Sequence, residues 1–217
     1  MTEPTFIDKN ENFSWNFLNY PIYSISEKPI ESEKDIAILL IHGFGASTDH
    51  WRFNIPVLSS KFEVHAIDLL GFGKSPKPND VEYSGSLWKD QVTAYVKEKI
   101  QKPTIVVGNS LGGYAALAAG AELKDLSAGV ILLNAAGYFS EEKLLKKNML
   151  QTSIETVAGI FLKNVVLQRL IFENMRKPST IRKTLNQVYI NKKNVDDYLV
   201  NSIRNPSLDT GAFNVFR

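Results

Sequence analysis

No cysteine occurs among the 217 residues, and histidine is confined to positions 42, 50 and 65. The first absence excludes disulfides and cysteine-bound metals as supports for the fold or carriers of chemistry. The second leaves any histidine-dependent reaction three candidates, all in the first third of the chain. No apolar run approaches the roughly 18 residues that span a bilayer. The first thirty residues also lack the basic start and apolar stretch of a secretory leader, so an intracellular, cytoplasmic location is the expectation. Basic runs interleaved with aromatic residues are missing too, which argues against nucleic acid as a partner.

What is present is a chain of 44% hydrophobic content and net charge +2, long enough for one sizeable core plus a small subdomain. Its charge is unevenly spread. Residues 1–137 carry 12 basic and 16 acidic side chains, a balance of −4, whereas residues 138–217 carry 13 and 7, a balance of +6. This marks two regions of different character, with the basic excess read as solvated helical faces.

In the first region, Phe13, Trp15 and Phe17, then Ile22, Tyr23 and Ile25, flank Asn19-Tyr20-Pro21 and predict a hairpin or two edge strands. Four short apolar runs follow, at Ile36–Ile41, Val64–Ile67, Thr104–Val107 and Val130–Leu133. Their hydrophobicity is continuous rather than alternating, which predicts strands buried on both faces. Between them, Thr48-Asp49 can cap a helix running towards Leu58. Ser84–Ser86 can start another through Trp88, Val92 and Tyr95, and Leu111–Ala121 is alanine-rich. The expected class is α/β, a doubly wound and mostly parallel sheet. After Asn134-Ala135-Ala136-Gly137 the strand signals stop. Residues 141–203 read as several helices broken at Lys177-Pro178-Ser179 and Asn191–Asn194, an inserted helical lid. Between Ile154 and Phe172 its apolar arc is wide enough to predict burial of more than one flank.

The chemistry centres on Gly108-Asn109-Ser110-Leu111-Gly112-Gly113, set between a strand run and a helix run. A Gly-x-Ser-x-Gly there is the pattern of a nucleophile elbow, whose small flanking residues allow a turn tight enough to lift the serine oxygen clear of the sheet. Such a serine needs donors for the oxyanion that its attack creates. One is the Leu111 N–H. His42-Gly43-Phe44-Gly45, at the end of the strand Ile36–Ile41, is placed to supply the other through the Phe44 N–H. Ser110 is thus the candidate nucleophile, Phe44 and Leu111 the candidate donors, and His42, Gly43, Gly45, Gly108 and Gly112 the supporting loops. No metal or cofactor is called for.

Two other readings compete. Gly43-x-Gly45 after a strand, with Asp68 at the end of the next, is the start of a dinucleotide fingerprint. Position 48, where its third glycine belongs, is Thr, and the Ser110 elbow would go unexplained. Gly73-Lys74-Ser75 has the end of a phosphate loop, but the first glycine of that motif falls on Asp68, and Pro76 and Pro78 prevent a clean helix afterwards. It reads as a turn, and Asp68 as a structural acid bonding nearby backbone.

The segments His42-Gly-Phe-Gly-Ala-Ser47, His50-Trp51-Arg52, Asn54-Ile-Pro-Val-Leu58, Asp68-Leu-Leu-Gly-Phe-Gly-Lys-Ser75 and Gly108-Asn-Ser-Leu-Gly-Gly113 resemble the α/β-hydrolase superfamily. Within it they are most similar to pheophytinase-related hydrolases of plants and cyanobacteria, as are Ile131-Leu-Leu-Asn134 and the stretch Asn205–Phe216. The resemblance implies a serine hydrolase acting on a small apolar carboxylic ester, with phytyl or acyl esters as candidates. Carbon–carbon bond hydrolysis is an alternative, and an inactive, ligand-binding relative another. It also implies a catalytic acid and then a histidine after the nucleophile. No histidine follows Ser110, so the expectation is that the chain corresponds to a core over 1–137 and a lid over 138–217, with the C-terminal core strands missing. His42 is the one alternative base. The lid's basic excess also suggests peripheral contact with an anionic membrane surface.

Overall fold

The computed structural model describes residues 11–29, 35–136 and 164–217. The chain divides into two compact units, Met1–Ala136 and Gly137–Arg217.

The first unit opens with a hairpin. Strand β1 (Trp15–Phe17) pairs antiparallel with β2 (Tyr20–Ile22) in the register Phe17↔Tyr20. The two-residue loop holds Leu18 at φ 50° and Asn19 at φ 66°, the doubly left-handed backbone that matches the twist of a tight hairpin. Trp15 closes edge-on over Tyr95 and donates from its indole N–H to Glu98 at 2.9 Å.

The main sheet contains β3 (Ser24–Glu27), β4 (Ala37–Ile41), β5 (Glu63–Ile67), β6 (Thr104–Asn109) and β7 (Ser127–Leu133), in the spatial order β3-β5-β4-β6-β7. All neighbours are parallel except β3 with β5. Every residue of β4 and β5 is buried, β4 as its unbroken apolar run predicts and β5 with Glu63 and His65 bonded to each other. Ile38 and Leu40 pack with Trp51, Ile55, Val64, Ala66 and Val107 in one core cluster.

The helices differ in how well local sequence foretells them. α2 (Gly85–Tyr95) starts where expected, its Ser84 side chain accepting from the Leu87 N–H, and α3 spans Leu111–Leu123. The helix predicted from Thr48 to Leu58 is instead two pieces. Ser47, not Thr48, caps a 3₁₀ turn over Thr48–Trp51, and α1 is the single turn Ile55–Leu58. Pro56 explains the break, since it has no N–H to bond back into the preceding turn. A second correction concerns β7, which is not buried on both faces. Ile131 is 48% exposed, and Leu132 and Leu133 are also exposed. Among the described residues β7 is the last strand of the sheet. α3 approaches only the face that carries Ser127 and Val130, where Gly120 has no room for a Cβ beside Val130.

The strand order decides where a site can lie. From β4 the chain passes to β5 on one side, and from β6 to β7 on the other. Adjacent parallel strands whose connections leave in opposite directions open a crevice at their C-terminal ends. Here that crevice lies beyond Ile41 and Asn109.

In the second unit, α4 (Val165–Met175), α5 (Pro178–Val188), α6 (Asp197–Arg204) and α7 (Ala212–Phe216) are described. Asn164 caps α4 by accepting from Val166 and Leu167, Pro178 opens α5, and Asp196 caps α6 through the Leu199 N–H. Ile181, Leu185, Val195, Leu199 and Val200 form its core. Phe172, Phe213 and Phe216 cluster separately, with the Arg169 and Arg176 guanidiniums over the rings. The apolar residues Ile154–Leu162 lie outside the described residues. Of those that follow, Phe172 is buried, Leu167 and Ile171 are half-buried, and Val166 and Leu170 are exposed.

Candidate active site

Ser110 sits at the crevice. Its backbone, φ 51° and ψ −115°, lies in a region that non-glycine residues rarely occupy and that costs on the order of 1–3 kcal/mol. The surroundings over-determine it. The Ser110 N–H donates to Leu133 O at 3.0 Å, and Ser110 O accepts from Gly113, Tyr114 and Ala136 at 2.9, 3.3 and 2.9 Å. The neighbouring glycines let β6 and α3 meet so closely. A Cβ on Gly108 would lie 2.1 Å from Gly112 O, and one on Gly112 would lie 2.4 Å from His42 O.

The loop after β4 comes up against this turn. A Cβ on Gly43 would stand 3.3 Å from Ser110 Cβ and 3.1 Å from Asn109 Oδ1. Gly45 has φ +68°, and Ala46 N–H closes the loop on Gly43 O at 3.2 Å. Phe44 is half-exposed, its ring edge-on to Phe72. Leu111 is the first residue of α3, a position where backbone amides have no acceptor within their own helix. The structure therefore brings Ser110, Gly43, Gly108 and Gly112 to one place, with Phe44 and Leu111 each adjacent in sequence to a residue at the contact.

His42 is buried and its tautomer is determined. Nε2 accepts from the Leu69 N–H at 3.0 Å, so Nδ1 carries the hydrogen and donates to Gly43 O at 2.7 Å. Burial pushes its pKa down to about 4. With both nitrogens committed, His42 is not poised to take a proton from Ser110. His65 bonds Tyr95 OH through Nδ1 and Glu63 through Nε2, and His50 lies half-buried in the 3₁₀ turn. Asp68 is fully buried; one carboxylate oxygen accepts from Thr48 N–H at 2.6 Å and the other from Lys74 N–H at 2.8 Å. That leaves it no role at a ribose. Gly73-Lys74-Ser75 is a turn wrapped around this carboxylate, for a Cβ on Gly73 would fall 2.1 Å from Asp68 Oδ2.

Gln91 is the site-supporting residue that sequence reasoning missed. It is fully buried in α2, accepting from Leu70 N–H at 2.8 Å and donating to Asp68 O at 3.3 Å. The available signal was a polar side chain among Trp88, Val92 and Tyr95 on a core-facing stripe. Among the described residues no cluster of three or more His, Asp or Glu could hold a metal ion.

These burials have a signed consequence for stability. His42, held near 4, stays unprotonated in the fold while an unfolded histidine takes up its proton near pH 6.5. Its contribution is complete above pH 6.5 and is lost as pH falls to 4, at about 1.4 kcal/mol per pH unit. His50, also lowered to about 4, first by burial and then by His42, and His65, lowered by burial, act in the same direction. Asp68 opposes them, because burial raises it to about 6 from 3.8, so its protonation below pH 6 favours the fold. Asp68→Asn has no proton to take up. Urea melts of this variant should therefore lose stability between pH 6 and 4 more steeply than wild type, by about 1.4 kcal/mol per pH unit. Parallel pH profiles would contradict this assignment.

A family model described as alpha/beta hydrolase fold matches residues 36–210. The chain belongs to that family. It is 29% identical over 194 residues to "Pheophytinase, chloroplastic" of Arabidopsis thaliana, an alignment that covers 74% of this chain and 40% of that protein. A 2-hydroxy-6-oxo-6-(2'-aminophenyl)hexa-2,4-dienoic acid hydrolase of Metapseudomonas resinovorans is 32% identical over 121 residues, 54% of this chain and 41% of that one. Among solved structures, a membrane phospholipase A described as a bacterial virulence factor superposes with a TM-score of 0.66 at 27% identity, covering 92% of this chain and 59% of that one. This alpha/beta hydrolase chain thus spans about two-fifths of the length of these two curated relatives. Among its described residues no helix is long and apolar enough to cross a membrane.

Proposed function

We propose that the chain carries the nucleophile and oxyanion hole of a serine hydrolase acting on an apolar carboxylic ester. Ser110 Oγ attacks the acyl carbon, and the Phe44 and Leu111 amides receive the charge that develops on the carbonyl oxygen. The leaving alcohol departs, and water then releases the acyl group from Ser110. The observation that carries this reading is the strained Ser110 turn with Gly43 packed against it at the sheet's crevice. Ser110 gives its proton to a general base, which passes it to the leaving alcohol and then takes one from the attacking water; His42, with both ring nitrogens bonded, is not that base, and the family pattern places it on a histidine after the nucleophile, where this sequence has none. No cofactor takes part.

Two further facts favour an apolar substrate. Phe44 is 48% exposed beside the turn, and relatives include a pheophytinase and a phospholipase. The similarity to a hydrolase of a 2-hydroxy-6-oxo dienoic acid also supports a second reading, cleavage of a carbon–carbon bond through the same serine.

The test is covalent labelling followed by turnover. A fluorophosphonate probe is expected to mark the peptide containing Ser110 and no other. In a series of p-nitrophenyl esters at fixed detergent, kcat/KM is expected to rise with acyl length, by at most about fourfold per methylene, the equivalent of about 0.8 kcal/mol of burial. Failure to label Ser110 would refute the nucleophile, in favour of an inactive relative. Labelling with a flat or falling series would refute the apolar ester. Labelling with turnover of a dienoic acid alone would select the carbon–carbon reading.

A further inference from the structure

We infer that His42 and Asp68 act as a pair of positioning residues that latch the oxyanion loop at both ends, an inference that rests on the nucleophile reading of Ser110. A donor amide stabilises a developing oxyanion only if it is held in place before the reaction begins. Gly43-Phe44-Gly45-Ala46-Ser47 is poorly suited to hold itself, with two glycines and one described internal backbone hydrogen bond, Ala46 N–H to Gly43 O.

The restraint comes from the start of the β5–α2 connection. At the loop's entrance, His42 Nε2 accepts from the Leu69 N–H at 3.0 Å, while its Nδ1–H holds Gly43 O. At the exit, the Thr48 N–H donates to Asp68 Oδ1 at 2.6 Å. The two anchors are consecutive residues, and they are themselves pinned. Asp68 N–H donates to Tyr23 O at 2.9 Å, Asp68 O accepts from Ser75 Oγ and Gln91 Nε2, and Leu70 lies between Gln91 and the Trp88 indole N–H. Phe72, from the same connection, meets both the His42 and Phe44 rings edge-on. The elbow approaches the loop at Gly43, and the β5–α2 connection decides where the Phe44 amide stands.

Thr48→Pro breaks the latch at its exit. Position 48 is the first residue of its helical turn and Ser47 is extended, at φ −154° and ψ −179°, a backbone that suits proline; the substitution deletes the Thr48 N–H, and its ring Cδ displaces the Asp68 carboxylate oxygen bonded there. In the full chain, amide hydrogen exchange at Phe44–Ala46 is expected to accelerate about tenfold relative to β4 and β6, and kcat on a p-nitrophenyl ester to fall about tenfold with KM within about twofold. His42→Phe, which frees the loop from Leu69 at its entrance, is expected to do the same. Asp68→Ala should match them, and Asp68→Asn, which keeps an oxygen for Thr48, should restore most of kcat. Should Thr48→Pro fail to fold, His42→Phe and the two Asp68 variants decide the matter. Loop exchange unchanged in the folded variants, or accelerated exchange with unchanged kcat, would overturn the latch. A Ser110→Ala chain that hydrolyses the ester at the wild-type rate would instead overturn the nucleophile reading, while the exchange data would still decide whether the loop is held in this way.

Discussion

Ser110→Ala is expected to abolish the burst of p-nitrophenol, because no acyl-enzyme can form, and with it the share of steady-state hydrolysis that runs through that intermediate. The fold should be untouched. Alanine keeps the Cβ and carries the same backbone strain at φ 51°, and the bonds that hold this turn run through backbone atoms, Ser110 N–H to Leu133 O and Ser110 O to Gly113, Tyr114 and Ala136. An unchanged urea midpoint beside lost turnover would assign Ser110 to chemistry alone. Hydrolysis that survived the substitution would move the nucleophile elsewhere.

Gly108→Ala should do the reverse and act through the fold. Its Cβ would meet Gly112 O at 2.1 Å, Gly112 C at 2.4 Å and Gly113 Cα at 2.6 Å. All three are backbone atoms at the start of α3, so no side chain can swing aside and the helix must lift from β6. A loss of about 3–5 kcal/mol is expected, at the upper end for a single substitution. Gly45→Ala is the control. Its Cβ has nothing within 4 Å, and only the φ of +68° opposes it, a cost of about 1–2 kcal/mol. Denaturant melts of the two variants should differ by at least about 1 kcal/mol; equal losses would mean that the strand–helix contact is not as close as described.

Much of the core and the elbow was legible because both depend on local pattern. An unbroken apolar run at Ile36–Ile41 can satisfy its burial only inside a covered sheet, and β4 is there. Gly108-x-Ser110-x-Gly112 announces a turn because the steric demand lies in the residues themselves. The same local logic failed at Thr48–Leu58, where Pro56 weighed more than the capping signal, and at β7, where an apolar run says nothing about how many neighbours its strand will find.

Residue type and spacing along a few neighbouring positions are enough for the class of fold, the serine at the turn and the exclusion of disulfide or cysteine–metal chemistry. Long-range packing is what bonds the loop 42–48 to the connection 68–75, sets Gln91 on Asp68 and Leu70, and leaves the His42 ring no free nitrogen for Ser110. Those partners stand about 20 residues or more apart in sequence. They meet because β5 lies beside β4 and the α2 side chains reach the residues that follow β5, an order set by the burial of whole strands rather than by any motif.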